Sequence, residues 1–473
     1  MKKAVCVLSA VSLALSVTPA FVEAVGPVRR INAPYFGNAV PYPEAAIAWF
    51  GKVDASKNYT DVRVAYTADE LWINLSIFDQ WLWEDDAASR TPASLEQWDA
   101  ATVLLDTGNT ATAPSTSSHR FVGELNWWRS RNDYQAAYVG TGTGWSLSQN
   151  TPFTTEAGWR GDAPNTSGPG GEDRGWTITF HLPFSSVGLQ GPPPAGTVWH
   201  LGLVVHDKDS AALPAVSDTF WPETLVRDQP TTWGLLAFGL RSYPAVNPPP
   251  SAQTFTIRHK LNGAVSTDAM VGGGSTCGTG DYFNAWGSLN YAGATTLVVQ
   301  NQSDVADWPC FSKAYLEFPL SGLPRGKMLV SATLILYQFG GSDPSQAQRS
   351  LIQVLTLNEP WSEASITWNN APLAVENVSQ SWVDPIPASG VPWPGVARSW
   401  NVSWAVSQAY EAGQAALRLG LYEADAAYHS GKYFTSADTG DWNEIGRPTL
   451  QITLADLSTA PPLPPKNLII LRQ

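Results

Sequence analysis

Indole rings and carboxylates dominate the side chains that could do chemistry in this chain. It has 22 Trp, 15 Tyr, 16 Phe and 41 Asp+Glu in 473 residues. An exposed aromatic ring flanked by amides and carboxylates suits a ligand with an apolar CH face and a hydroxyl rim. Trp72 shares one strand face with Asn74 and Ser76. Trp81 and Trp83 sit in a loop beside Glu84, Asp85 and Asp86, and Trp127 and Trp128 point to opposite faces of one strand. Carboxylates grouped in loops are hard oxygen ligands for calcium, which takes six to eight of them. The candidate groups are Asp79 with Asp99 and Asp106, the Asp85-Asp86 pair, and Asp207 with Asp209; none has EF-hand spacing.

Motifs for bond-breaking chemistry are missing. The sequence holds no His-Glu-x-x-His, no Gly-x-Ser-x-Gly and no phosphate-binding loop. Gly140-Thr141-Gly142-Thr143-Gly144 reads as a turn. The six His are scattered, with His181 on the polar side of a strand and His206 near acids. No catalytic residue is expected, although two carboxylates about 5–10 Å apart are all a glycosidase needs.

These residues must be positioned by β-structure. Val62, Val64 and Tyr66 alternate with Asp61, Arg63 and Ala65, and Leu71 to Ile77 and Trp176 to Leu182 alternate in the same way. Turn-rich segments such as Asn165 to Gly175 separate them. One short helix is expected, around Val402 to Ala415. Regularly spaced strands without long helices predict an all-β chain of two tandem antiparallel β-sandwiches, jelly-roll-like in form. Their expected spans are 25–245 and 253–455, joined by a proline-rich linker at 246–252 that includes Pro248, Pro249 and Pro250. A Pro-rich tail, 456–473, is either a final strand or the first strand of a further module.

Lys2 and Lys3, the apolar run Ala4 to Val17 and then Val22-Glu23-Ala24 form an export signal, 1–24, cut after Ala24 or after Ala20. A secreted, extracellular protein without a transmembrane segment after cleavage is expected. A net charge of −13 leaves little positive surface for nucleic acid. Cys277 and Cys310 read as a disulfide in an oxidising compartment, worth roughly 3–4 kcal/mol, or else as two buried thiols.

The first half resembles carbohydrate-binding module family 9 and its DOMON-like relatives over residues 30–240. The likeness rests on Glu70-Leu71-Trp72-Ile73 leading to Asp79, Trp98-Asp99 through Asp106, and Gly175-Trp176 through Phe184. Trp199 to Val205, Phe220-Trp221-Pro222 and Pro230 to Phe238 complete it. It implies a sugar held between Trp98 and Trp221, with structural calcium nearby. Thr102 and Thr179 stand where a Glu is usual in that family.

The second half, 253–455, resembles the DNRLRE domain, carbohydrate-binding module family 96. The likeness is carried by Trp361-Ser362-Glu363 and Ile366-Thr367-Trp368-Asn369-Asn370-Ala371-Pro372. Lys313 to Phe318, Phe434-Thr435-Ser436 and Pro448-Thr449-Leu450 support it, and Asn401 stands where Asp is usual. It implies an extracellular jelly roll, some members of which bind acidic polysaccharides such as alginate. Together the resemblances imply a secreted, non-catalytic protein whose partner is a polysaccharide or cell-surface glycan. The expected contact residues are Trp98, Trp221, Trp72, Trp81 and Trp83, and the expected calcium ligands Asp79, Asp99 and Asp106. A structural adhesin or scaffold, or the non-catalytic part of a carbohydrate-active enzyme, is the alternative.

Overall fold

A computed structural model describes residues 28–457, except 87–89, 109–110, 127, 163, 167–172, 213 and 279. The expected export signal, Trp127 and the tail beyond 457 lie outside the described residues. In the first half, one sheet runs Ala46–Asp54, Lys57–Tyr66, Glu70–Phe78, Gly175–Pro183 and Thr154–Arg160 in spatial order. The sheet facing it includes Gly234–Phe238, Val198–His206, Ala100–Asp106, Ser118–Glu124 and Gln135–Gly140. Val62, Val64, Ile73, Leu75, Trp176, Ile178 and Phe180 fill the space between them. These are the apolar positions of the period-2 patterns, so alternation places the core correctly.

The second half repeats the plan. Thr267–Gly272, Ser312–Pro319, Ala416–Glu423, Ser350–Thr356 and Glu376–Val383 form one layer. Gln253–Arg258, Thr449–Asp456, Lys327–Gly341, Lys432–Thr435 and Thr296–Val299 form the other. The α-helix occupies Ser403–Glu411. Asn401 accepts from the Ser403 N–H at its start, and Gly413, at φ +67°, turns the chain after it. Cys277 and Cys310 are disulfide-bonded.

Most pairings are antiparallel. Arg30–Ala33 is parallel to Gly234–Phe238 on one side and to Glu376 of the second half on the other. That link joins a sheet of each half into one 13-stranded sheet.

The polar face of the Lys57–Tyr66 strand does not meet water. Every residue from Asn58 to Tyr66 is buried, because the second half packs on that face. Arg63 donates to the Gln302 and Ala424 carbonyls, and Tyr422 donates to Asp61 at 2.9 Å. Gln353 donates to the Ala45 carbonyl at 2.7 Å and accepts from the Ile47 N–H. Asn369 pairs with both backbone groups of Val53 at 2.8 and 2.9 Å. An apolar cluster drawn from both halves fills the rest, including Trp49, Tyr59, Phe78, Trp308, Trp368 and Tyr422. The segment that precedes the linker is likewise held down: Arg241 donates to Glu376, and Tyr243 donates to the Leu329 carbonyl. The halves therefore form one packed body rather than two beads on a spacer.

Candidate functional site

Three loops meet at one end of the first sandwich. The segment after Glu70–Phe78 supplies Asp79, the start of Ala100–Asp106 follows Asp99, and Asp207 follows Val198–His206. The register that pairs Ala100 with His206 sets Asp99 beside Asp207. Each of the three carboxylates offers an oxygen within 4.8 Å of the other two, and all three are buried. Their hydrogen-bond donors are neutral. Asn58 Nδ2 and the Trp81 N–H donate to Asp79, each at 3.1 Å. The Trp83 N–H at 2.6 Å and the Lys208 N–H at 2.8 Å donate to Asp99. Asp207 Oδ1 is buried without a partner.

Burial, with Asp207 and Asp209 alongside, holds the Asp79 carboxyl far above the ordinary range. Burial, Asp79 and Asp207 do the same to Asp99. Burial and Asp209 push Asp207 up to about 8. Three buried acids, each raised by burial and by neighbouring carboxylates, are short of a positive charge. Oxygen donors with one orphaned lone-pair site fit a hard cation, so this cluster could hold a metal ion.

Asp106 is not part of it. It sits at the opposite end of its strand, seven residues and about 20 Å from Asp99, and accepts from Ser117 and Ser118 Oγ at 2.8 Å. Asp207, grouped with Asp209 in the sequence, takes the place expected of Asp106. Asp85 is buried and its backbone N–H donates to Glu124.

The five indoles divide by burial. Trp221 is 1% exposed in the sandwich core, and Trp72 lies buried with the Tyr42 ring edge-on at 4.8 Å. Neither presents a free face, which corrects their expected role as stacking platforms. Trp81, Trp83 and Trp98 are partly exposed. They flank the acid cluster: the first two bond it through their backbone, and Trp98 precedes Asp99 with the Lys208 ammonium 5.8 Å from its ring. The Trp83 indole N–H is buried without a partner.

Thr102 stands in a polar network on the outer sheet face. Its hydroxyl donates to Glu96 at 2.7 Å and lies 2.9 Å from His206 Nε2. Arg120 and Arg227 also pair with Glu96, so a carboxylate reaches this spot from the neighbouring loop. Thr179 accepts from Asn74 Nδ2 at 3.0 Å. His206 is held by Asp218 at 2.8 Å and His181 by Glu70 at 2.8 Å. Both are paired histidines.

Glu124 forms part of a second acidic group with Glu84. Burial is the main cause raising Glu124 to about 9 and Glu84 to about 7. A carboxyl raised on folding stabilises fully below its unfolded pKa, near 4.5, and loses that contribution as pH rises through about 9. Glu124→Gln is always neutral and avoids the loss. Its amide would be short of an acceptor where Oε2 now has no partner, which costs about 1 kcal/mol. The variant should therefore gain on the order of 1–2 kcal/mol at pH 8 and lose about 1 kcal/mol at pH 4. Urea unfolding at both pH values checks this; a gain that is equal at the two would contradict it.

On the second half, the most exposed indoles are Trp393 at 53% and Trp442 at 67%, edge to face with centroids 4.9 Å apart. Phe339 adds a third ring 5.2 Å from Trp393. These rings gave no signal in the sequence beyond their residue type. Trp368 and Asn369, conspicuous in their motif, instead hold the halves together.

Residues 283–453 match carbohydrate-binding module family 96. The matched region contains Trp393, Trp442 and the Trp368-Asn369 contact with the first half. Similar solved structures include a family 9 module from Caldicellulosiruptor kristjanssonii in complex with cellotriose. It is 15% identical, with 47% of this chain and 99% of that one covered at a TM-score of 0.30. A family 9 module from the same organism in complex with glucose is 15% identical, with 46% and 100% covered and a TM-score of 0.29. No curated protein matches the chain. Among the described residues, no helix is long and apolar enough to cross a membrane.

Proposed function

We propose that this is a secreted polysaccharide-binding protein that holds its ligand without cleaving it. The match of residues 283–453 to a carbohydrate-binding family carries the reading. In the first half, Asp79, Asp99 and Asp207 hold a calcium ion, whose charge offsets the three carboxylates and fixes the loops that carry Trp81, Trp83 and Trp98. Those three rings stack on sugar units. In the second half, Trp393 and Trp442 provide a separate stacking surface.

Affinity electrophoresis through gels containing neutral or acidic polysaccharides tests this. The intact chain should be retarded, and a Trp81→Ala/Trp83→Ala/Trp98→Ala variant should lose at least ten-fold in affinity for a ligand of the first half. Trp393→Ala/Trp442→Ala should weaken binding of a ligand of the second half. Unchanged retardation in both variants would remove these surfaces. Release of reducing ends from the same polysaccharides would contradict binding without cleavage. The buried contact between the halves favours a second reading, a rigid scaffold, which predicts no retardation in any gel.

A further inference from the structure

Phe78 ends the strand that delivers Asp79, and a ring packed on it belongs to the second half. Trp308 stacks on Phe78 with centroids 5.0 Å apart and planes 14° from parallel. Its indole N–H also donates to the Arg174 carbonyl at 2.8 Å. Arg174 follows Asp173, whose backbone N–H donates to the Gln80 carbonyl at 2.9 Å. Asp173 Oδ2 in turn accepts from the Leu82 N–H at 3.2 Å. One side chain of the second half therefore reaches residues 78–83 by two routes, through a ring and through hydrogen bonds.

The chain that carries Trp308 is short and irregular. Val305–Cys310 is a 3₁₀ turn with Pro309 inside it and Asp307 at φ −120°, outside helical geometry. Hydrogen bonding in such turns is poor, so other groups must fix its shape. Its last residue, Cys310, is disulfide-bonded to Cys277. Gly273 lets the Cys277 loop come this close, since a Cβ there would lie 1.9 Å from the Pro309 carbonyl oxygen. Trp286, from the same loop, donates to that carbonyl at 2.8 Å and packs edge-on against Trp308 at 4.9 Å. Cys277 sits at φ +57°, left-handed backbone that a β-carbon disfavours. Freed of the bond, this residue gains by leaving that conformation. Both cysteines are partly exposed, so a soluble reductant reaches them.

We propose that the Cys277–Cys310 disulfide is a redox latch that holds residues 78–83 of the other half in place. Oxidised, it fixes Trp308 against Phe78 and Arg174, which keeps Asp79 beside Asp99 and Asp207. A dithiol opens the latch. One thiolate attacks a sulfur to form a mixed disulfide, and the second thiol displaces the protein and closes the reagent into its own disulfide. Two electrons and two protons pass to the protein, leaving Cys277 and Cys310 as thiols. Trp308 then loses its fixed place, and residues 78–83 loosen while both sandwiches stay folded. The consequence for the ion rests on the calcium-binding reading of Asp79, Asp99 and Asp207. It adds a control on that site, which is complete only where the disulfide persists, as in an oxidising compartment.

Amide hydrogen exchange on the full chain in EDTA, oxidised and after dithiothreitol, tests the latch without the ion. Exchange in residues 78–83 and 305–310 should quicken at least ten-fold on reduction, with Ala416–Glu423 in the second core unchanged. Cys277→Ser/Cys310→Ser should show the fast pattern and ignore dithiothreitol. Calorimetric titration with calcium should give a Kd at least five-fold weaker for the reduced protein and for the double variant. Unchanged exchange in residues 78–83 would overturn the latch. Faster exchange throughout the second half would do so too, because the disulfide would then staple that whole sandwich. Equal calcium affinity in both states would overturn the control over the site. A latch seen by exchange, with no calcium bound in either state, would remove the ion and leave the latch standing.

Discussion

Lys313→Ala should destabilise the protein by about 3–5 kcal/mol, a cost typical of breaking a buried charge pair or emptying an aromatic-walled site. Lys313 comes from the second half and is buried against rings of both. Its Nζ lies 3.7 Å from the Trp368 centroid, 4.4 Å from Trp49, 4.5 Å from Tyr59 and 5.0 Å from Tyr422. It donates to Tyr59 OH at 2.5 Å, and Tyr59 and Tyr422 both donate to Asp61. The alanine variant leaves a hole between the four rings and removes the ammonium nearest to the Asp61 relay. Lys313→Met refills the hole and should recover part of the loss. Lys313→Met with Asp61→Asn should recover more, because no buried charge is then left without its partner.

The same lysine sets a pH signature. Burial lowers its pKa well below 10.5, against the pull of Asp61. Between that lowered value and about pH 10 the unfolded chain binds the proton more readily than the folded one. Stability contributed by this group therefore rises with pH across the window, and Lys313→Met should lack the slope. Denaturant unfolding of the variants from pH 6 to 9.5 measures both effects. A Lys313→Ala cost below 1 kcal/mol would show that the halves are not locked through this contact.

Removing calcium should produce the second large effect. A cation bound only by the folded chain stabilises by about 2.7 kcal/mol when its concentration is one hundred times Kd. Addition of 1 mM calcium to EDTA-treated protein should therefore raise the melting temperature, and Asp99→Asn or Asp207→Asn should abolish the rise. Without the ion, the raised carboxyls favour the folded state at low pH. Their contribution is fully present below about 3.8 and, for Asp207, is lost as pH climbs through about 8. The gain from calcium should thus be larger at pH 8 than at pH 5. A melting temperature indifferent to calcium and EDTA at both pH values would remove the cation from the account.

The strands, the core and the disulfide were legible because period-2 patterning and cysteine parity are local or nearly so. Asp61 and Arg63 show the limit. Alternation marks them as the polar face of a half-buried strand, and only the docked second half reveals that this face is covered as well. Asp106 shows another: it lies close to Asp99 in sequence, but an extended strand carries it to the opposite end of the sandwich. Asp207 reaches Asp99 through the register between Ala100 and His206, which no spacing rule discloses. Trp221 and Trp72 have the residue type of a sugar platform; burial, which residue type does not report, withdraws them.

Probing a broad array of neutral and acidic glycans with the full-length chain tests the central claim most directly. Binding to one or more polysaccharide classes, reduced by the tryptophan substitutions, is the predicted result. An array without a single bound glycan, from a protein shown folded and loaded with calcium, would contradict it.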